Sequence, residues 1–239
     1  MKPFEEWTVL PHHELTQIDE GLLCVVGDLH MPVGDFPRRM TVARLSDGRL
    51  VIYSAIALDE HEMADLEGYG TPAFLIVPSE IHRMDARIWK ARYPDIYVVA
   101  PAGAHAKVEE VVQVDATFVD LGDPHVHFVT VPGTDQHEAA LLIERPRGTS
   151  LVVNDVIWNV HHRTGVGGWL LKVAGFTGDE PKIPAFIARR SIKDRQAFRQ
   201  QLERWSRISN LKRIIMSHGD IVTHDAPTVL RHLADNLAA

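Results

Sequence analysis

Cysteine is nearly absent: 239 residues carry one, Cys24. A single thiol excludes an intramolecular disulfide framework and any cysteine-built zinc knuckle. Flanked by Leu22, Leu23, Val25 and Val26, it is expected in a core, in a protein of a reducing compartment. Long apolar runs are missing too. The most apolar late stretch, Val166 to Phe176, is broken by Lys172 and too short to span a bilayer. The amino terminus, Met1-Lys2-Pro3-Phe4-Glu5-Glu6-Trp7, lacks the basic-then-apolar order of a secretory leader. A soluble cytoplasmic protein with no membrane partner is therefore expected. The third absence is basic charge. Lys and Arg number 25 against 32 Asp and Glu, a net charge of −7, and the cations are scattered, which argues against nucleic acid. No Gly/Ser/Pro linker, charge block or internal repeat divides the chain, so residues 1–239 are expected to form one domain.

What the chain has in quantity is histidine, 14 of them. A lone His says little, but three segments place His or Asp just past an apolar strand. Arg213 to Met216 runs into Ser217-His218-Gly219-Asp220, and Leu151 to Val153 runs into Asn154-Asp155. Phe74 to Val77 runs through Pro78 into Ser79-Glu80-Ile81-His82-Arg83-Met84-Asp85. In open α/β sheets ligands sit beyond the carboxyl ends of the strands, so three such ends predict one shared site.

The pattern around them is layered. Arg39 to Leu45 and Arg49 to Ala55 form a hairpin over Ser46-Asp47-Gly48. A helix is expected over Leu58 to Leu66, and another from Asp85 to Pro94 through Ile88, Trp89 and Tyr93. With a strand at Ile96 to Ala100, residues 71–101 read as a strand–helix–strand unit, which favours parallel pairing. Four strands are expected in the middle: Val111 to Phe118, Val126 to Val131, Ala139 to Glu144 and Ser150 to Val153. Asp194 to Ile208 reads as an amphipathic helix and Thr228 to Leu237 as a closing one. Val160 to Pro184, glycine-rich and without a period, is expected to cover the pocket or to form a subunit interface in a homo-oligomer. Two β-rich halves with helices predict sheet-on-sheet layers with helices outside.

Arg44-Leu45 to Gly48-Arg49-Leu50, Ile76 to Asp85, Trp89 to Pro94, Val131-Pro132-Gly133-Thr134, Asn154-Asp155 and Ser217-His218-Gly219 occur in an order that resembles the metallo-β-lactamase superfamily. The likeness is to a poorly characterised branch with a degenerate metal motif, and it spans roughly residues 39 to 235. It implies an α/β fold, an αββα sandwich of two mixed sheets with helices on both outer faces and the site along one edge. The family motif His-x-His-x-Asp-His falls on Glu80, His82, Met84 and Asp85, of which His82 alone matches. A thioether at Met84 cannot stand in for a metal-binding carboxylate. Thr134 occupies the third histidine position, with His137 close by, while Asp155 matches the bridging aspartate and His218 the final histidine.

The implied ligand set is His82, Asp85, Asp155 and His218, holding at most one divalent ion, zinc before iron or manganese. Asp155 and Asp85 are the implied catalytic carboxylates. Glu80, Thr134 and His137 are further pocket residues, and His161 and His162, just beyond Asp155, are close enough in sequence to reach its rim. Two functions follow. One is hydrolysis of a small ester, amide, lactone or phosphoester at the metal. The other is a non-catalytic protein of the same fold, with no metal, that binds a small ligand or a protein partner; the residues at positions 84 and 134 favour it. Each residue also has a plainer reading, His82 as a helix cap and Asp155 as a turn residue. His125 and His127 share a strand face but match no family position.

Overall fold

The computed structural model describes residues 2–31, 34–162, 168–169, 172 and 175–237. The first sheet begins with β1 (Thr16–Asp19), β2 (Leu22–Met31) and β3 (Gly34–Arg44), paired antiparallel, β2 to β3 in register from Leu22↔Ala43 to Met31↔Gly34. The Asp47-Gly48 turn, with Gly48 at φ +89°, then reverses the chain into β4 (Arg49–Tyr53). From here the direction changes. Helix α1 (Glu60–Tyr69), capped by Asp59, carries the chain back to β5 (Thr71–Ile76), and α2 (Ala86–Arg92) carries it to β6 (Tyr97–Val99). Both pairings, β4 with β5 and β5 with β6, are parallel. The six strands lie in the order β1-β2-β3-β4-β5-β6.

After α3 (Ala102–Glu109) come β7 (Val126–Thr130), β8 (Ala139–Arg145) and β9 (Gly148–Val153), all antiparallel neighbours. Helix α4 (Ala185–Ser191), α5 (Arg195–Ser206), β10 (Leu211–Met216) and α6 (Ala226–Asn236) follow. Strand β10 pairs parallel with β9, giving a second sheet β10-β9-β8-β7.

Strand periodicity decides which face meets what. On β4, Val51 and Tyr53 point into a core shared with Leu141, Ile143, Val152 and Ile215 of the second sheet, and Cys24 lies there too. Leu50 and Ile52 point the other way, onto Met63 and Leu66 of α1, Trp89 of α2 and Val108 of α3. The second sheet repeats this, burying Leu151, Val153, Ile214 and Met216 against Phe198, Leu202 and Trp205 of α5 and Leu230 and Leu233 of α6. Two mixed sheets stacked face to face, each covered outside by helices, form the αββα sandwich.

One local expectation changes, and two elements appear that the sequence pattern does not mark. Residues Val111 to Phe118 are not a strand; only Ala116 bridges to Val99, and the preceding Ala102–Glu109 is a helix. Val111 and Val112 are buried as the last turn of that helix unwinds, so their apolar run is packing rather than pairing. Strand β2 is ten residues long although its Gly27, Asp28 and His30 break the strand pattern. Its length follows from ten consecutive partners on β3. Helix α4 forms immediately after the excursion from Val160 to Pro184.

Candidate metal centre

Four strands, the parallel pairs β4–β5 and β9–β10, end on one edge of the sandwich. Ser54 follows β4, Ser79 and His82 follow β5, Asn154 and Asp155 follow β9, and Ser217 and His218 follow β10. Backbone bonds stitch the edge together: Ala139 N–H donates to Pro78 C=O at 3.0 Å, Ser217 N–H to Val153 C=O at 3.1 Å and Arg39 N–H to Ser217 C=O at 2.8 Å. The buried Arg39 adds two guanidinium bonds, to the carbonyls of Met216 at 2.8 Å and Gly219 at 2.7 Å. It thereby pins the turn that carries His218. Gly219 is required there, since its φ is +89° and a Cβ would lie 2.0 Å from the Asn159 carbonyl oxygen.

His82, Asp155 and His218 converge. His82 Nε2 lies 3.1 Å from Asp155 Oδ1 and 3.1 Å from His218 Nε2, and His218 Nε2 lies 3.0 Å from the same oxygen. Neighbours fix the rings. His218 Nδ1 is 2.7 Å from the Pro37 carbonyl, which can only accept, so Nδ1 carries hydrogen and a neutral ring turns its Nε2 lone pair to the cluster. His82 Nδ1 sits 2.8 Å from the hydroxyl of Ser54, a buried residue in the left-handed region at φ +58°. A non-glycine residue held there, with its hydroxyl against a ring nitrogen, is the kind of strain found at working sites. Phe36 and Trp158 flank the His218 ring at 4.9 and 4.7 Å between centroids. Phe176 and Phe186 extend this aromatic wall toward solvent.

Behind Asp155 lies a second polar layer. Ser79 hydroxyl donates to Asp155 Oδ2 at 3.3 Å, while Asn154 amide donates to Ser79 Oγ at 3.0 Å and to Glu138 Oε2 at 3.2 Å. Burial opposes ionisation of Asp155, but positive charge on His82 and His218 and their N–H bonds, where the rings carry an Nε2 proton, outweigh it and hold the carboxyl below the ordinary carboxylate range. Glu138 goes the other way. Burial, reinforced by the Asp155 charge, pushes it well above that range.

The structure does not bring Asp85 to this cluster. Its carboxylate pairs with Arg38, both groups buried, and accepts from Ala57 N–H at 3.0 Å. Burial pushes the Asp85 carboxyl up and the Arg38 guanidinium opposes that push. Glu80 pairs with Arg190 of α4, and Thr134 is fully buried with its hydroxyl on the Val131 carbonyl, 2.7 Å away. His137 is half-buried in the same turn. His161 turns to Asp220 at 3.2 Å, and His162 to Thr177 at 2.8 Å. Of the excursion from Val160, residues 163–167, 170–171 and 173–174 lie outside the described residues. Among the rest, Phe176 joins the aromatic wall and Trp169 is exposed. Sequence reading missed Ser54, Glu138, Arg38, Arg39, Phe36 and Trp158, because each acts on a partner remote in the chain.

No family model and no curated protein match the chain by sequence. Solved structures do match by shape. The metallo-β-lactamase FIM-1 from Pseudomonas aeruginosa, in a mono-zinc form, superposes with a TM-score of 0.63 at 12% identity, covering 95% of this chain and 96% of that one. VMB-1 gives 0.66 at 9% identity over 97% and 100%, and a metallo-β-lactamase from Hirschia baltica gives 0.60 at 10% over 94% and 98%. The chain has the metallo-β-lactamase fold. Among the described residues no helix is long and apolar enough to cross a membrane.

Proposed function

We propose that the protein is a hydrolase-like metalloprotein in which His82, Asp155 and His218 hold one divalent ion, zinc before iron or manganese. The observation that carries this reading is the triangle of two imidazole Nε2 atoms and one carboxylate oxygen, 3.0–3.1 Å on each side. Tetrahedral ligands with bonds of 2.0–2.1 Å stand about 3.3 Å apart, so the three atoms need only small adjustments to share an ion. Two nitrogen lone pairs facing one anionic oxygen also attract a cation. Asp85 is left out of the ligand set because its oxygens already serve Arg38 and Ala57.

When bound, such an ion polarises a carbonyl or phosphoryl oxygen and lowers the pKa of a coordinated water toward ~7. The residues of the chain supply the rest. Ser54 and Pro37 hold the two imidazoles in a fixed orientation. Ser79 holds Oδ2 of Asp155, leaving Oδ1 turned to the cluster. Glu138, its carboxyl pushed up by burial, lies in the layer behind, and the Phe36–Trp158 wall excludes water from one side of His218. The substrate this suits is a small ester, amide, lactone or phosphoester.

A screen of chromogenic esters, lactones, amides and phosphodiesters tests the reading. Turnover that chelator removes and Asp155→Asn abolishes supports it. Metal-free protein with an intact fold that turns over none of them favours the second reading, a non-catalytic ligand-binding protein.

A further inference from the structure

Two edge strands leave a recess on the side of the sandwich. Strand β1 is the outer strand of the first sheet and β10 that of the second. Ile18 of β1, Lys212 and Arg213 of β10, Arg147 of the β8–β9 turn, and Ile221 and Thr223 beyond β10 line a space of about 400 Å³. Small-molecule pockets run roughly 300–1,000 Å³. The lining holds three cations and no carboxylate. None of these residues belongs to the metal centre. Arg213 precedes His218 by five residues, about 16 Å of extended chain.

Both walls are shaped by bulges. In β1 the pairing with β2 steps from Gln17↔Leu23 to Asp19↔Leu22, leaving Ile18 extra. In β10 the pairing with β9 steps from Leu211↔Thr149 to Arg213↔Ser150, leaving Lys212 extra. Successive residues of a regular strand face opposite sides, and a bulge re-aims a side chain. The slip at Lys212 thus lets two neighbours, Lys212 and Arg213, line one recess. Bulges are rare in parallel pairs, so the one in β10 is a built feature. Gly148, at φ +132°, leaves room for it: a Cβ there would collide with Lys212 Cγ, so the lysine stem lies across the glycine. The charges around the recess are unequal. Arg213 pairs with the buried Asp19 and bonds Ser150 Oγ at 3.1 Å, and Asp19 also accepts from Glu20 N–H at 2.8 Å. Arg147 acts on Asp19 only through its field. Neither Arg147 nor Lys212 has an ion-pair partner among the described residues. Two cationic charges are left uncompensated on a chain of net −7. Ile18 and Ile221, packed against the core between the sheets, form an apolar floor beside them.

We propose that this recess binds a small organic phosphate, with its phosphoryl group on Arg147, Lys212 and Arg213 and its apolar body on Ile18 and Ile221. A phosphate monoester carries about −1.5 to −2 charge near neutral pH, which matches the two uncompensated cations. Both side-chain bonds of Arg213 leave from Nη1, so its Nε and Nη2 remain for the phosphoryl oxygens. Guanidinium groups give such oxygens paired charge-assisted bonds, and the ammonium adds a point charge. The inference depends neither on the metal centre nor on the hydrolase reading.

Titration calorimetry of the full chain at low ionic strength, with benzylphosphonate and separately with inorganic phosphate, tests this. The C–P bond keeps the first probe intact even if the protein hydrolyses phosphoesters. Wild type is expected to bind benzylphosphonate more tightly than phosphate. Arg147→Ala and Lys212→Ala, both at exposed positions, are each expected to weaken binding about tenfold, and Lys212→Arg to retain most of it. His218→Ala is expected to bind the probe as wild type does. No binding of benzylphosphonate by wild type overturns the inference, as does unchanged binding in either alanine variant. Loss of binding in His218→Ala also overturns it, by placing the anion at the metal centre. Phosphate that binds at least as tightly as benzylphosphonate overturns the assigned ligand class, since the apolar floor then contributes nothing.

Discussion

At the scale of single residues, Asp85 and Asp155 have the same side chain and opposite employment. Asp155 faces two imidazoles, whereas Asp85 neutralises the buried Arg38. Asp85→Asn should cost about 3 kcal/mol in urea denaturation, because it leaves a guanidinium buried without its counter-charge, and should leave metal content unchanged. A fall in bound metal with little loss of stability would instead make Asp85 a ligand. Glu138 gives a second residue-scale prediction. Its folded pKa is raised, so its stabilising effect is full below the unfolded value near 4.3 and is lost as pH rises toward the folded one. Over that window chelated protein should lose up to about 1.4 kcal/mol per pH unit, and Glu138→Gln should flatten the slope. An unchanged slope in Glu138→Gln would show that the proton sits elsewhere. His82, Asp155 and His218 were legible in the sequence because a polar residue after an apolar strand has a predictable place. Arg38 was not, since its partner lies 47 residues away and nothing local marks the pair.

At the scale of elements, strand ends proved easier to read than strand starts. The sequence 151–155 shows a buried strand and then a polar stop, and β9 ends at Val153 as that pattern requires. Val111 to Phe118 shows alternation of the same kind, yet the segment turns beneath α3, because burial of Val111 and Val112 needs no ladder. The excursion from Val160 to Pro184 had no periodicity to read, and α4, which follows it, is too short to show one. The turn after β10 carries the element-scale prediction. Gly219→Ala forces a side chain into a left-handed position against the Asn159 carbonyl. It should lower stability by roughly 2–3 kcal/mol and reduce metal uptake, as the turn that aims His218 is displaced. A Gly219→Ala protein with wild-type melting temperature and metal content would mean that the turn is adaptable and that Arg39 alone holds it.

At the scale of the whole molecule, the site belongs to neither sheet. Ser54 and His82 come from the first, Asp155 and His218 from the second, and the two sheets otherwise touch through an apolar core. That layered architecture was legible in the alternation of helices and strands, but which edge would hold the site depended on where the parallel strands end. An ion shared across the edge links both sheets, so it should stabilise the fold as a unit. At a hundredfold excess over its dissociation constant the gain is about 2.7 kcal/mol, or a rise of about 5–10 °C in Tm. His218→Ala should show no such rise; an equal rise there would place the ion elsewhere, for instance at His12, Asp59 and Glu62.

The central claim, a single ion held by two histidines and one aspartate, is tested most directly by metal analysis of protein purified without chelator and dialysed against zinc. Wild type should retain about one equivalent, and His82→Ala and His218→Ala, folded as judged by circular dichroism, should each retain almost none. Wild type that binds no metal, or variants that keep the full equivalent, would contradict the account.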